Sequence, residues 1–231
     1  VWNANGVATT QIFQLDKSFG ADGMVVKNDI AKITDLKGKT VAASAPGTAP
    51  YFTLAWMLKK NGMTTKDVKI VNLEPQAAAN AMIAGNAGLD AALTYEPYLS
   101  AVRAKPEAGK IIATTLDYPM IMDTFGCVPK FLADNPKAAK AIADSYFEAV
   151  EMISKEPKRS FEIMGADVKQ SGEAFEASQK YLRWQDRAAN LKFFSGEHAQ
   201  FSKEAADLLL EAGIIKQLPD MSKLADTRFI R

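Results

Sequence analysis

Two short loops hold the residues of this sequence with the clearest capacity for binding chemistry. The first, Ala45 to Tyr51, has a Pro46-Gly47-Thr48 turn followed by Ala49, Pro50 and Tyr51 at the start of a predicted helix. A helix start presents free backbone N–H groups and the positive end of the helix dipole. Thr48 and the N–H groups around Ala49 to Tyr51 therefore suit an anionic or acceptor group of a ligand. The same threonine also serves as an N-cap, a role worth about 1 kcal/mol, and the two uses are compatible. The second loop, Thr94 to Tyr98, carries Tyr95-Glu96-Pro97-Tyr98. Tyr51 and Tyr95 offer flat apolar faces with a polar tip, suited to a small polar ligand.

Carboxylates flank these loops. Glu96 fits a ligand amine or a cap on the helix that Pro97 opens, and the structural use is the preferred reading. Asp22, in GADG, and Asp123, in MDTFGC, read equally well as ligand contacts or as turn residues bonding their own backbone. No Lys or Arg falls in the candidate loops, so helix ends and hydroxyls must hold any anionic head, whereas Asp22 or Asp123 can take an amine. Sulfonate-like, zwitterionic and nitrogen-rich heterocyclic ligands all fit this inventory.

The elements that must position these residues form two consecutive strand–helix units. Val41 to Ser44 predicts a strand and Tyr51 to Lys60 a helix stopped by Asn61-Gly62. Val68 to Leu73 predicts the next strand, with Glu74-Pro75 opening an alanine-rich helix that Gly85 ends. Leu89 to Thr94 is a third strand, and Glu96-Pro97 opens another helix. Alternation of this kind favours parallel pairing, since parallel strands need a crossover. Ligands of such sheets bind beyond the carboxyl ends of the strands. Val41, Ile70 and Leu93 are expected in the sheet core.

Counting excludes several other chemistries. One histidine, His198, and one cysteine, Cys127, leave no material for an intrachain disulfide, a cysteine-based metal site or a Cys-His dyad. Cys127 reads as a small core hydrophobe at a strand end and His198 as a helix-surface or packing residue. No cofactor is expected. The net charge is +1 with 24% charged residues and no basic run, which argues against nucleic acid as a partner. No apolar stretch approaches the roughly 18 residues of a membrane span, and no signal peptide is visible, as in a mature secreted protein that has lost it.

At 231 residues the chain can form two modest lobes. Extended crossings are expected at Val7 to Lys27, as two strands joined by a loop over Asp16 to Asp22, and at residues 111–128. They assign 24–114 to one α/β lobe and 1–23 with 115–231 to the other. After Pro129 the periodicity predicts helix to the end, from Pro136 through Ile153 and over Lys158 to Met164, Gly172 to Tyr181 and Glu197 to Ala212, followed by a docked tail.

GADGMVVK, then ITDLKGKTVAASAPGTAPYF, then DVKIVNLEPQAAANAMIAGNAGLDAALTYEPYLS, in that order, resembles the extracytoplasmic substrate-binding proteins of ABC importers of the nitrate/sulfonate/taurine type. The resemblance continues through MDTFGCVPKFLADNPKAAKAI and covers nearly the whole chain. It implies a bilobed periplasmic-binding-protein type II fold, α/β with mixed, mainly parallel sheets and helices on both faces. The implied function is capture of a small polar solute in an interlobe cleft, without catalysis. The implied partners are the solute and the ABC permease, and the implied location is periplasmic or extracytoplasmic. Family members begin with a first-lobe segment ahead of the hinge strand, whereas this sequence opens near the hinge. The first lobe is therefore expected to be incomplete, or completed by another chain. A thiamine-pyrimidine-synthase-like enzyme and a ligand-sensing domain are the alternatives on the same scaffold. The enzyme would want a cleft histidine and a cysteine-rich motif.

Overall fold

The computed structural model describes all 231 residues. They divide into two compact units, one of Ser18–Ile121 with Glu211–Ile214, the other of Val1–Lys17, Met122–Leu210 and Ile215–Arg231.

The first unit is built on a five-stranded sheet. In chain order its strands are β2 (Asp22–Val26), β3 (Thr40–Ala43), β4 (Lys69–Asn72), β5 (Ala91–Tyr95) and β6 (Lys110–Thr114), arranged β4-β3-β5-β2-β6. The strand–helix alternation produces the parallel ladders β3–β4 and β3–β5, with α1 (Ala49–Lys60) and α2 (Pro75–Ile83) as crossovers. β2 runs antiparallel to both β5 and β6, so the sheet is mixed in equal measure by ladder, two and two, rather than mainly parallel. Its reversal has a plain cause: β2 enters from a chain crossing and not from a helical return.

Helices cover both faces. Val25, Ala42 and Ala92 pack against Ala78, Ala79 and Met82 of α2 and against Leu99 and Val102 of α3 (Tyr98–Arg103). Alanines on both sides of that contact let α2 lie close to the sheet. The alternate residues Met24, Val41, Ala43 and Leu93 are equally buried and point to the opposite face, where α1 packs on β2, β3 and β5. Ile70, expected in the core, is only half-buried. β4 is the edge strand, and its neighbours Lys69, Val71 and Asn72 face solvent.

The division between units falls at 17/18 and 121/122, outside the expected 23/24 and 114/115. β1 (Thr10–Ser18) continues through the segment expected as a loop, leaving only residues 19–21 between it and β2. Two buried hydroxyls then tie the crossings together. Ser18 Oγ and Thr115 Oγ1 lie 2.7 Å apart, Gly20 N–H donates to Thr115 Oγ1 at 2.8 Å, and Asp22 N–H donates to Ser18 Oγ at 3.2 Å. These bonds hold residues 18–22 and 115 in the sheet unit.

In the second unit β1 pairs antiparallel with β7 (Met122–Cys127) in the three-stranded order β7-β1-β8, where β8 is Leu182–Trp184. β8 interrupts the stretch expected to be helical throughout. Phe13 opposes Phe125 in the register and their rings stack at 5.1 Å. Register irregularities at Ile12 and Leu15 turn extra apolar side chains toward α5 (Pro136–Lys155), whose Ala139, Ala143 and Phe147 complete the core with Phe229 and Ile230 of the docked tail. Short α4 (Pro129–Asp134) precedes α5. α6 (Pro157–Asp167) packs on α7 (Gly172–Gln179) so closely that a Cβ on Gly165 would stand 2.8 Å from the Ser171 carbonyl oxygen. α8 (Arg187–Lys192), a π-helical turn over Phe193–Glu197 and α9 (His198–Glu211) follow. Asn190 of α8 is fully buried. Its Oδ1 accepts from Gln14 N–H at 2.6 Å, and its Nδ2 donates to the carbonyls of Gln14, Gln185 and Asp186 at 3.0–3.1 Å.

Because Phe13 meets Phe125, Tyr146 and Phe147 in one cluster, Phe13→Ala should destabilise its unit by about 3–5 kcal/mol in urea unfolding. Val7→Ala, at an exposed position, should change stability by less than about 0.5 kcal/mol. Equal effects would mean that the aromatic cluster does not hold the unit together.

Candidate functional site

Parallel β3 and β5 end at the same edge of the five-stranded sheet, and the loops leaving them carry most of the predicted site residues. β5 terminates in Tyr95, directly opposite Asp22 in the antiparallel ladder. Paired residues share a face, so the register sets the Asp22 carboxylate beside the tyrosine. Asp22 is 9% exposed and Tyr95 37%. Tyr98, one turn on, lies 5.8 Å from the Tyr95 ring at 44°. Burial raises the Tyr95 phenol above its ordinary pKa, and Tyr98, Glu74 and Asp22 push it the same way, so Tyr95 is a protonated donor at neutral pH.

Glu74 reaches this edge through a long-range bond. Thr94 Oγ1 donates to the Pro75 carbonyl at 2.9 Å, docking the start of α2 on the end of β5. Sequence spacing marks Glu74-Pro75 only as a helix opening and places Tyr98 at the end of the second candidate loop without giving it a contact of its own. The fold brings together what lies about twenty residues apart.

Thr48 stands at the N-cap of α1 with extended dihedrals, but its hydroxyl does not cap. Oγ1 donates to the Ala45 carbonyl at 2.8 Å, closing the turn that Gly47 makes possible with φ of 93°. This corrects the expected side-chain cap. The Ala49 and Tyr51 N–H groups of the first turn are left without a side-chain acceptor, and Pro50 between them has no N–H to satisfy. Ala49 is exposed and Tyr51 half-buried. Glu96 has the structural role expected of it, accepting from Ser100 N–H at 3.0 Å and pairing with Arg103.

Asp123 belongs to the other unit, on β7 opposite Asp16. Its residue is solvent-accessible, while desolvation by surrounding protein raises its carboxyl above the usual carboxylate range. An accessible group crowded on several sides satisfies both observations. A groove of about 720 Å³ lies in the same unit, between α5 and β8. Arg187, which lines it, is held by Asp144 at 2.7 Å and by the Ile230 carbonyl at 3.0 Å, so part of its charge is committed to structure.

The profile of the NMT1-like family matches residues 2–164. The taurine-binding periplasmic protein of Escherichia coli (strain K12) is 30% identical over 152 residues, 64% of this chain and 46% of that protein. The chain thus spans less than half the length of that relative. Among solved structures, the periplasmic aliphatic sulphonate binding protein SsuA of Escherichia coli superposes with a TM-score of 0.77 at 17% identity, covering 96% of this chain and 70% of that one. The desulfurization enzyme DSZB superposes with a TM-score of 0.66 at 13% identity, covering 96% and 78%. At such identities the structural likeness establishes the fold, that of the periplasmic binding proteins. The curated relative named for a function is a binding protein.

The two groups set aside by counting lie away from the sheet edge. Cys127 ends β7, half-buried beside the Phe13 cluster, and burial raises its thiol pKa. His198 is 7% exposed, edge-on to Phe193 at 5.5 Å and 5.0 Å from Phe194, with Nε2 3.4 Å from Ser202 Oγ. It is a packing residue, and desolvation lowers its pKa. The folded state therefore holds His198 neutral while the unfolded chain protonates it near the ordinary value. Its contribution is complete above about pH 6.5 and is lost as pH falls below that, at up to about 1.4 kcal/mol per unit. Unfolding free energies measured between pH 7.5 and 5 should show this slope, and His198→Phe should flatten it. A slope unchanged in the variant would assign the acid sensitivity to other groups.

Proposed function

The chain belongs to the NMT1-like family, and on that premise we propose that it is the solute-binding part of an ABC importer, capturing a small organic sulfonate. What supports the reading is the edge formed by the ends of β3 and β5. First-turn N–H groups at Ala49 and Tyr51 that no side chain caps stand on the same edge as an accessible tyrosine. The named relative at 30% identity binds taurine.

In this reading the Ala49 and Tyr51 N–H groups, held in place by the turn that Thr48 closes on Ala45, take the anionic head, which needs hydrogen-bond donors without a bulky counter-cation, as helix N-termini provide. Tyr95 lays its ring on the apolar part of the solute and donates its phenol proton. Asp22, paired with Tyr95 on the same edge, is the acidic contact. The two units act as lobes, the chain crossings at 17/18 and 121/122 serving as hinge segments. The partner is a membrane permease and the compartment periplasmic. The solute leaves chemically unchanged.

A thermal-shift screen of taurine, alkanesulfonates, nitrate and pyrimidines tests the reading. A ligand at 100 times its Kd stabilises by about 2.7 kcal/mol, which is readily visible. We expect a sulfonate to register and to be recovered intact by mass spectrometry. Tyr95→Ala and Thr48→Ala should each weaken its binding about tenfold or more, a loss of about 1.4 kcal/mol, with the fold retained. Conversion of the solute would replace binding by catalysis, and unchanged affinity in both variants would move the site elsewhere.

A further inference from the structure

The outer strands of the two sheets are β4, β6, β8 and β7, and the first three are blunted. β4 turns Lys69 and Asn72 to solvent. β6 begins in exposed Lys110, and at its far end the Thr114 N–H already donates to Asp117 Oδ2 at 2.9 Å. β8 has only Leu182–Trp184, and Asn190 fills the flank of β1 beside it. β7 has none of these devices. From Met122 to Cys127 it holds no Lys, Arg or Pro; Asp123 and Gly126 are exposed and the rest half-buried. The register shows which of its backbone groups face outward. Gln11 and Gln14, opposite Gly126 and Thr124, direct both backbone groups to the far side of β1, Gln11 to Leu224 and Asp226 and Gln14 to Asn190. These are therefore the non-bonded pairs of the β1–β7 ladder. Alternation then points the N–H and C=O of Met122, Thr124 and Gly126 away from the sheet.

We propose that this edge is an interface between two copies of the chain, whose β7 strands pair antiparallel about a two-fold axis at Thr124. That register sets Thr124 opposite Thr124 and each Met122 opposite the other copy's Gly126, so every outward group is matched in about six hydrogen bonds. The side chains agree with it. The two threonines bond across the axis, Met122 lies over a residue with no side chain, and Asp123 meets Phe125 instead of a second carboxylate. Centring on Asp123 would oppose two like charges. Centring on Phe125 would set Met122 against Val128, whose carbonyl already accepts from Phe131 N–H at 3.0 Å. The result is one continuous sheet in the order β8-β1-β7-β7-β1-β8. Because Asn190 and the tail fill its outer flanks, assembly closes at two copies.

Sedimentation velocity of the whole chain, from about 1 to 100 µM, tests this. The chain should sediment as a dimer at the upper concentrations. Thr124→Pro removes a central N–H that faces away from β1, so β7 itself stays paired, and Thr124→Lys sets like charges on the axis. Each should raise the dimer dissociation constant about tenfold or more while the melting temperature stays near that of the unmodified chain. In a Cys127→Ala background, Thr124→Cys should form a disulfide between copies under mild oxidation, since hydrogen-bonded partners stand about 5.5 Å apart at Cα. Asp123→Cys, two positions out of register with its own copy, should not. A chain that stays monomeric throughout overturns the proposal. So does a dimer untouched by both Thr124 substitutions, or one that crosslinks through Asp123→Cys and not through Thr124→Cys.

Discussion

The antiparallel ladder between β2 and β5 is the constraint on which the candidate site depends. Five consecutive pairs, from Asp22–Tyr95 to Val26–Ala91, lock a reversed strand into an otherwise co-directional sheet. Every residue of β2 is buried, so the register is specified by packing on both faces. A slip of one residue would send Asp22 to the opposite face and carry Met24 and Val25 out of their respective layers. The hydroxyl pair of Ser18 and Thr115 secures the start of β2 against that slip from outside the ladder.

From this register follows a separation of charge along one sheet edge. The α1 start contributes N–H donors because Thr48 spends its hydroxyl on Ala45, a local choice that leaves the helix end chemically open. The end of β5 contributes rings and carboxylates. Neither end requires a titrating nucleophile or a metal. Both ends rest on rigid elements: α2 is docked by Thr94 and packed through alanines, and α3 is begun by a Glu96 cap. Side chains and N–H groups framed this way are held in place with little left to order in the loops.

Much of this was legible from sequence because punctuation residues state local geometry. Pro50, Pro75, Pro136 and Pro157 each fall in the first turn of a helix, and Gly62, Gly85 and Gly213 take positive φ where helices stop. Strand direction is a tertiary property, so the reversal of β2 left no local trace. Nor did the half-burial of Ile70, which depends on β4 lying at the sheet edge. The three residues of β8 are too few to show a period, and they fall between the predicted helices Gly172 to Tyr181 and Glu197 to Ala212. At the site, Asp22 and Tyr95 were found separately by residue type, but their pairing is a matter of register. Glu74 and Tyr98 join them through a single long-range hydrogen bond and one turn of helix, neither of which composition encodes. The unit boundaries moved outward for a similar reason: two hydroxyls separated by nearly a hundred residues extend the sheet unit along both crossings.

Asn190 has a consequence that reaches beyond the unit it sits in. Its carboxamide both accepts from and donates to the Gln14 peptide, which is the exchange a neighbouring strand would make. Nearby, Leu224 and Asp226 bond the two polar groups of Gln11, and Gln185 N–H takes the Leu15 carbonyl. Beside the very short β8, these borrowed partners finish the flank of β1 in place of a full-length strand. A second polypeptide approaching that flank finds its template already engaged by side chain and loop. The amide therefore acts as a guard against runaway polymerisation.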